Sequence, residues 1–415
     1  MNLTNRNMKK FDIPNYFQSS VISKVKSFRK IDDKYKNDFS PTLLDFGKIR
    51  FYISRHFGFC YGVQNAIEIA YTALNENPDK RIFMLSEMIH NPDVNKDLKE
   101  QGINFIQDSH GNPLLDWNEI NSEDIVIIPA FGASIETEEK LKEKGISPAR
   151  YNTTCPFVEK VWNRSYQIGE KGYSVIIHGK YNHEETRATF SHSKSSAPSL
   201  IILNMEEAEF LSRIILGEIP YNKFYEKFKG KYSEHFNPEE DLQKIGVVNQ
   251  TTMLAEETQA IADLLRETMI KKYGESNAAL HFADNRDTLC YATNDNQTAA
   301  KALAEYDVDF AVVVGGYNSS NTSHLVELLE KKQTTYFISN VNEIVSSSEI
   351  FHFSLHEGKR IHSNNFFPDN EEVTISITSG ASCPDSEVEK VIKKILGFYN
   401  ITNELEKVTP KRINK

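Results

Sequence analysis

The sequence predicts an α/β protein built from three α/β units in pseudo-threefold arrangement, and three observations carry that expectation. From residue 49 onward, short apolar runs alternate with amphipathic stretches of helical period, the pattern of layered sheets and helices. Three of these junctions set a cysteine, Cys60, Cys155 or Cys290, just before a helix-like stretch. The cysteines are 95 and 135 residues apart, each about the length of one domain.

The elements follow in order. Residues 1–48 hold ten Lys and Arg against five Asp and Glu, whereas the 415-residue chain carries a net charge of −10. A basic, Ser-containing start is one form of transit peptide, but such peptides are poor in acids, and Asp12, Asp32, Asp33, Asp38 and Asp45 are present. The stretch YFQSSVISKVKSF instead predicts a helix packed on the main body, so 1–48 is read as an N-terminal extension. The first unit, 49–154, opens with the alternating, aromatic IRFYISRHFGF, expected as a strand. VQNAIEIAYTAL then sets Val63, Ile67 and Ala70 on one helical face, and DIVIIPAFGAS leads into ETEEKLKEKG. The second unit, 155–289, has YSVIIHG and KIGVVNQTT as strands before the helical EETQAIADLLRETMIKKYG. Its polar segment 204–243 is expected as an insertion over a sheet edge. The third unit, 290–415, pairs DFAVVVGGYNSSN with HLVELLEKK, and VTISITSGAS with DSEVEKVIKKILGFY.

Composition narrows the function. With 39% apolar and 26% charged residues the chain reads as a soluble globular protein. The acidic balance argues against a nucleic-acid partner, and no run is apolar enough to span a membrane. The four cysteines, at 60, 155, 290 and 383, form no disulfide framework, and the N-terminus has no secretory apolar core. A reducing, cytoplasmic location is expected.

A cysteine in the first turn of a helix is either a small buried hydrophobe or a thiolate favoured by the helix N-terminus. Three that converge could host a 4Fe–4S cluster and leave its fourth iron open to a substrate. Zinc held by three cysteines and a histidine is the rival, although the short CxxC pairs of structural zinc are absent. The loops after the strands, HGKYNHEET, NQTT, YNSSNTS and GASCPD, supply His178, His183, Glu185, Thr251, Ser319, Ser320, Asn321 and Ser382. Hydroxyls, amides and helix starts beyond strand ends suit a phosphate or diphosphate. His178 is expected to be structural, and histidines outside motifs, His324 among them, to be surface or structural.

At these residues the chain resembles the 4-hydroxy-3-methylbut-2-enyl diphosphate reductase family, which closes the methylerythritol phosphate route to isoprenoids. The resemblance covers about 49–402 and rests on GFCYGV, NTTCPFVEKV and DTLCYAT, with IHNPDVNKDL, HEET, NQTTM, NSSN and GASCPD in the family's order. The N-terminal extension and the long segment before NQTTM are similar to the plant and cyanobacterial branch. The resemblance implies that Cys60, Cys155 and Cys290 hold a 4Fe–4S cluster at the centre of the three units. It implies that His90, His183, Ser319, Asn321 and Ser382 bind an allylic diphosphate, with Ser320 close by. Glu185 would deliver the proton that lets the 4-hydroxyl leave as water, and Thr251 would help place that group. Ferredoxin or flavodoxin would donate electrons, and isopentenyl and dimethylallyl diphosphates would form. Two departures stand out: Phe131 where many bacterial members have a histidine, and Cys383 beside a predicted ligand. The alternative from another class is a non-catalytic, zinc- or cluster-stabilised binder of phosphorylated ligands, which would have no need of Glu185.

Overall fold

The apolar runs become strands covered on both faces. Ser174–His178, Ile245–Asn249 and Phe310–Val314 are buried at every position, as parallel strands between helix layers are. The computed structural model describes residues 11–35, 37–283 and 288–413. The first ten residues of the basic N-terminal stretch and Asp287 of DTLCYAT lie outside them.

The largest sheet has the strand order Thr335–Ile338, Phe310–Val314, Val373–Ser379, Ile49–Ile53, Thr42–Asp45, Lys411–Arg412. The first four strands are parallel, and the last two join antiparallel. Thr42–Asp45 turns into Ile49–Ile53 at Gly47, whose φ of 79° suits glycine. The compositional boundary at residue 48 therefore runs through a hairpin. In Ile49–Ile53 the alternation of the sequence is real: Ile49, Phe51 and Ile53 share the core face. Two further sheets are parallel and three-stranded, Ile103–Phe105/Ile82–Met84/Ile125–Ile127 and Ser199–Ile202/Ser174–His178/Ile245–Asn249. An antiparallel pair, Glu349–Ser354 with Lys359–Asn364, is a sheet of its own that packs beside Thr335–Ile338, with Ile350 in the core of the six-stranded sheet.

The helices after the cysteines link these sheets in a cycle. The Cys60 amide donates to the Ala381 carbonyl, just past Val373–Ser379 of the six-stranded sheet, at 3.2 Å. Its helix, Tyr61–Glu76, then buries Val63, Ala66, Ile67 and Ala70 with Ile82, Met84 and Ile125 of the next sheet. The Cys155 amide donates to Ala130, past Ile125–Ile127, at 3.0 Å. Its helix, Pro156–Glu170, packs Val161 and Ile168 with Val175, Ile177 and Val248 of the third sheet. The Cys290 amide reaches the Thr251 carbonyl, past Ile245–Asn249, at 3.4 Å. Its helix, Tyr291–Ala304, returns Ala300 and Leu303 to Ala311 and Val313 of the six-stranded sheet. Each cysteine is thus fixed at the carboxyl end of one sheet while its helix covers the next.

The N-terminal helix forms over Ser20–Asp32, capped by Ser19, whose hydroxyl accepts the Ile22 amide at 2.9 Å. Val21, Ile22 and Val25 share a core with Val388 and Ile392 of the helix Asp385–Gly397. In 204–243 the charges hide a second apolar set: Leu211, Phe224, Phe228 and Phe236 are buried against the third sheet. Residues 231–233 cover the edge strand Ser199–Ile202, Ile201 donating to Lys231 at 2.8 Å and Ser233 to Ser199 at 2.9 Å.

Candidate active site

The three cysteines are N-cap residues of their helices, yet none closes a capping hydrogen bond. Their side chains border one cavity of about 90 Å³, which all eleven residues singled out from the sequence line: Cys60, Cys155, Cys290, His90, His183, Glu185, Thr251, Ser319, Ser320, Asn321 and Ser382. Phe131 lines it too. Burial, then the neighbouring Cys60, pushes the thiols of Cys155 and Cys290 up to about 12. Burial also raises Cys60, against the pull of the Val63 and Gly62 amides. Cys290 is buried and Cys60 and Cys155 are half-buried. Thiols drawn together on one cavity wall, two of them opposed in ionising by Cys60, suit a cationic group that would take all three as thiolates. Gly62 matters here, because a Cβ on it would stand 2.6 Å from the Cys155 sulfur. Among the described residues no three His, Cys, Asp or Glu side chains form the ligand set of one metal ion. Cys383 is elsewhere: it is fully buried in the core of the six-stranded sheet, its sulfur 3.6 Å from the Pro384 carbonyl.

Glu185, in the first turn of the helix Glu184–Lys194, faces the loop after Ile245–Asn249. Its two carboxyl oxygens accept the Thr251 amide at 2.5 Å and the Thr251 hydroxyl at 2.9 Å. The carboxyl is 1% exposed, and burial pushes its pKa up to about 7 despite these two bonds. A proton held at that value can be given up near neutral pH. Gln250, quoted within NQTTM but assigned no role, ties the two loops together. Its Oε1 accepts the Lys180 amide at 3.1 Å and the Thr186 hydroxyl at 3.0 Å.

The histidines are arranged for an acceptor between them. Nδ1 of His183 accepts the Glu185 amide at 3.2 Å, which puts the proton of the neutral ring on Nε2. Burial, then the adjacent His90, holds His183 well below its usual range, so the ring is neutral at pH 7. The Asn318 amide donates to Glu87 at 3.1 Å and approaches His90 Nδ1 at 3.2 Å, which puts the His90 proton on Nε2 as well. The two Nε2 atoms are 3.2 Å apart, and neither N–H can accept the other. An anionic oxygen could take both. Phe131 stacks on His90 with ring centroids 4.4 Å apart, giving that side of the site an apolar wall. Glu184 is 4.0 Å from His90 Nε2, and burial holds its carboxyl at about 8, so it is neutral at pH 7 and does not repel an anion.

The helix Ser320–Leu329 supplies the other donors. Ser319, its N-cap, accepts from the Thr322 amide at 3.3 Å and hydroxyl at 2.9 Å, leaving its own proton to donate. Asn321 Oδ1 accepts the Ala381 amide at 2.9 Å, while its buried Nδ2 has no hydrogen-bond partner among the described residues. Ser382 donates to the His90 carbonyl at 3.1 Å. His178 does not line the cavity: it is fully buried, 2.9 Å from the Thr258 hydroxyl, and burial lowers it to about 4.

Fold and cavity together define an α/β protein with a buried site that joins three thiols, a carboxylic acid and a set of anion donors. The family described as LytB protein matches residues 51–396, and the chain belongs to that family. It is 39% identical to the 4-hydroxy-3-methylbut-2-enyl diphosphate reductase of a Picosynechococcus species, over 91% of this chain and 89% of the other. It is 40% identical to the enzyme of that name from a Cyanothece species, over 94% and 91% of the two chains. Among solved structures it resembles the E-1-hydroxy-2-methyl-but-2-enyl-4-diphosphate reductase of Plasmodium falciparum, with a TM-score of 0.59 and 23% identity over 83% of this chain and 87% of the other. That last likeness is one of fold.

Proposed function

We propose that the chain is a reductase of 4-hydroxy-3-methylbut-2-enyl diphosphate, with Cys60, Cys155 and Cys290 holding a 4Fe–4S cluster among three α/β units, 49–154, 155–289 and 290–415. The observation that carries the reading is the opening of all three thiols and the Glu185–Thr251 pair onto one cavity. The donor set fits the cluster: sulfur ligands only, on three separate helix starts, with the remaining cysteine away from them. When bound, the cluster supplies electrons one at a time, received from ferredoxin or flavodoxin.

The substrate gains two electrons and two protons, its C–O bond to the 4-hydroxyl breaks, and water leaves. Glu185 gives its proton to the departing hydroxyl, which the Thr251 hydroxyl positions. The second proton goes to one of two carbons of the allylic unit, yielding isopentenyl or dimethylallyl diphosphate. His90, His183, Ser319, Ser320, Asn321 and Ser382 hold the diphosphate, and Val63, Ile89 and Phe131 give the same cavity apolar walls. A cytoplasmic location is part of the proposal, since a reducing compartment keeps the thiols free; no described helix is long and apolar enough to cross a membrane.

The test is an anaerobic assay with the diphosphate substrate and a chemical reductant. Substrate-dependent consumption of reductant by brown protein supports the reading, and its absence removes it. Asn321→Ala is expected to raise KM about tenfold with a smaller change in kcat, because it deletes an unpartnered donor to a highly charged group. Ser382→Ala is expected to do less, its hydroxyl being engaged with His90. Steady-state kinetics on both variants check the order. Gly62→Ala is expected to lower bound iron and sulfide while leaving the far-UV circular dichroism unchanged. The methyl displaces the Cys155 sulfur, whereas alanine is the better helix former.

A further inference from the structure

The two histidines of the cavity meet one aromatic ring. Phe131 stacks on His90 at 4.4 Å between centroids and meets His183 edge-on at 5.4 Å. His90 and His183 follow strands of different sheets, and each is bonded at Nδ1 to its own neighbours. Their Nε2–H groups cannot bond each other, so the shared Phe131 ring is what relates them. Phe131 itself stands in a turn, and its place depends on what packs behind it. Behind it is Trp162, which does not line the cavity. The outer edge of the indole lies against Gly132, where a Cβ would stand 2.5 Å from Cζ2. With a φ of 82°, Gly132 is closed to other side chains by its backbone as well.

On its other sides Trp162 is gripped by the helix Glu184–Lys194, which His183 caps and which carries Glu185. The indole Nε1 donates to the Thr189 hydroxyl at 3.1 Å, and the ring stacks on His192 at 3.7 Å and 11°. Nε2 of His192 donates to the Ala133 carbonyl at 3.1 Å, and the Ser191 hydroxyl accepts the Ile135 amide at 3.0 Å. The turn after Phe131 is thereby tied to the same helix that Trp162 grips. We infer that Trp162 is a positioning residue for the diphosphate: through Gly132 it holds Phe131, and so His90 and His183, in the spacing that lets both Nε2–H groups meet one anion. The inference rests on the diphosphate reading of the cavity. A large, flat side chain fixed by a hydrogen bond and a stack suits this role, since small displacements of binding groups are costly.

The probe is inorganic diphosphate, titrated calorimetrically into the anaerobic holoenzyme, with substrate KM and kcat measured beside it. Trp162→Ala is expected to weaken diphosphate binding about tenfold and to raise KM in step. Bound iron and sulfide should stay near wild type. Its kcat should fall less than KM rises, because Glu185 keeps both bonds to Thr251. A double-mutant cycle separates positioning from mere support of the fold. If Trp162 acts through Phe131, Trp162→Ala adds little to the loss of affinity already present in Phe131→Ala. Full additivity of the two overturns the inference, as does a Trp162→Ala protein of lower Tm but unchanged diphosphate affinity; both leave the reductase reading standing. Should Trp162→Ala fail to fold, Gly132→Ala pushes on the same contact from the other side. It should weaken diphosphate binding, and adding Trp162→Phe, whose smaller ring makes room for the methyl, should restore part of the loss. The backbone strain at 132 is common to both proteins and cancels, so no restoration overturns the inference. No binding of inorganic diphosphate by the wild-type protein overturns the diphosphate reading, and this inference with it.

Discussion

Glu185→Gln is expected to lower turnover by about 10²–10⁴-fold, the usual worth of a general acid, while iron content and substrate affinity stay near wild type. The amide can keep both contacts to Thr251. Its oxygen accepts the Thr251 amide, and its NH₂ donates to the Thr251 hydroxyl, reversing one bond without moving either residue. What it cannot do is release a proton to the departing hydroxyl. The pH profile adds a second readout. Burial raises the Glu185 carboxyl to about 7, so the acid form is present below that pH and lost above it. Wild-type turnover should therefore fall as pH rises through about 7, and the residual rate of Glu185→Gln should lack that fall. Single-turnover rates under anaerobic conditions, with a chemical reductant in excess, separate this step from electron delivery. Near-normal turnover in the variant would remove Glu185 from the chemistry.

The cysteine positions were legible because their signals are local: an apolar strand, a thiol, then a helical period whose first turn favours the thiolate. The convergence of the loops was legible for a related reason, since side chains at the carboxyl ends of parallel strands share one side of a sheet. The hand-over between sheets was not. Ile49–Ile53 pairs with Val373–Ser379 from the far end of the chain, and no local pattern reports a pairing of that range. The apolar half of 204–243 was masked by composition, because Leu211, Phe224 and Phe236 are spaced among charges that point outward. His324, expected to be surface or structural, is buried on the helix Ser320–Leu329. Its spacing from Ser320 makes the two neighbours on a helix, but only the packing of that helix shows that Ser320 borders the cavity. Gln250 and Asn318 lay inside quoted motifs, yet their roles are bonds to other loops, Lys180 and Thr186 for one, Glu87 and His90 for the other.

Cys60→Ser, Cys155→Ser and Cys290→Ser are each expected to lose most of the bound iron and sulfide, and activity with it, whereas Cys383 variants keep both. All four cysteines follow a strand and precede a helix, so the junction pattern alone does not divide them. The structure supplies the division. Cys383 is fully buried beside Val388 and Ile392 and is absent from the cavity wall, while the other three border it. Burial, then Glu387 and Asp385, pushes its thiol well above the ordinary range, as burial raises the other three. It is the place of Cys383 in the core, and not its acidity, that divides the four. A fourth thiolate at the cluster would also occupy the position that the substrate needs. Serine at 383 places a hydroxyl in an apolar core at a cost of roughly 1–3 kcal/mol, so Cys383→Ala is the companion variant that avoids it. At the other three positions serine is close in shape to cysteine, and a lost cluster reports the lost sulfur rather than a collapsed site. Iron and sulfide analysis of the variants, purified without oxygen, decides between three ligands and four. Loss of the cluster in Cys383→Ala, at unchanged far-UV circular dichroism, would mean that the core thiol is a ligand and that the three-cysteine site is wrong for this protein.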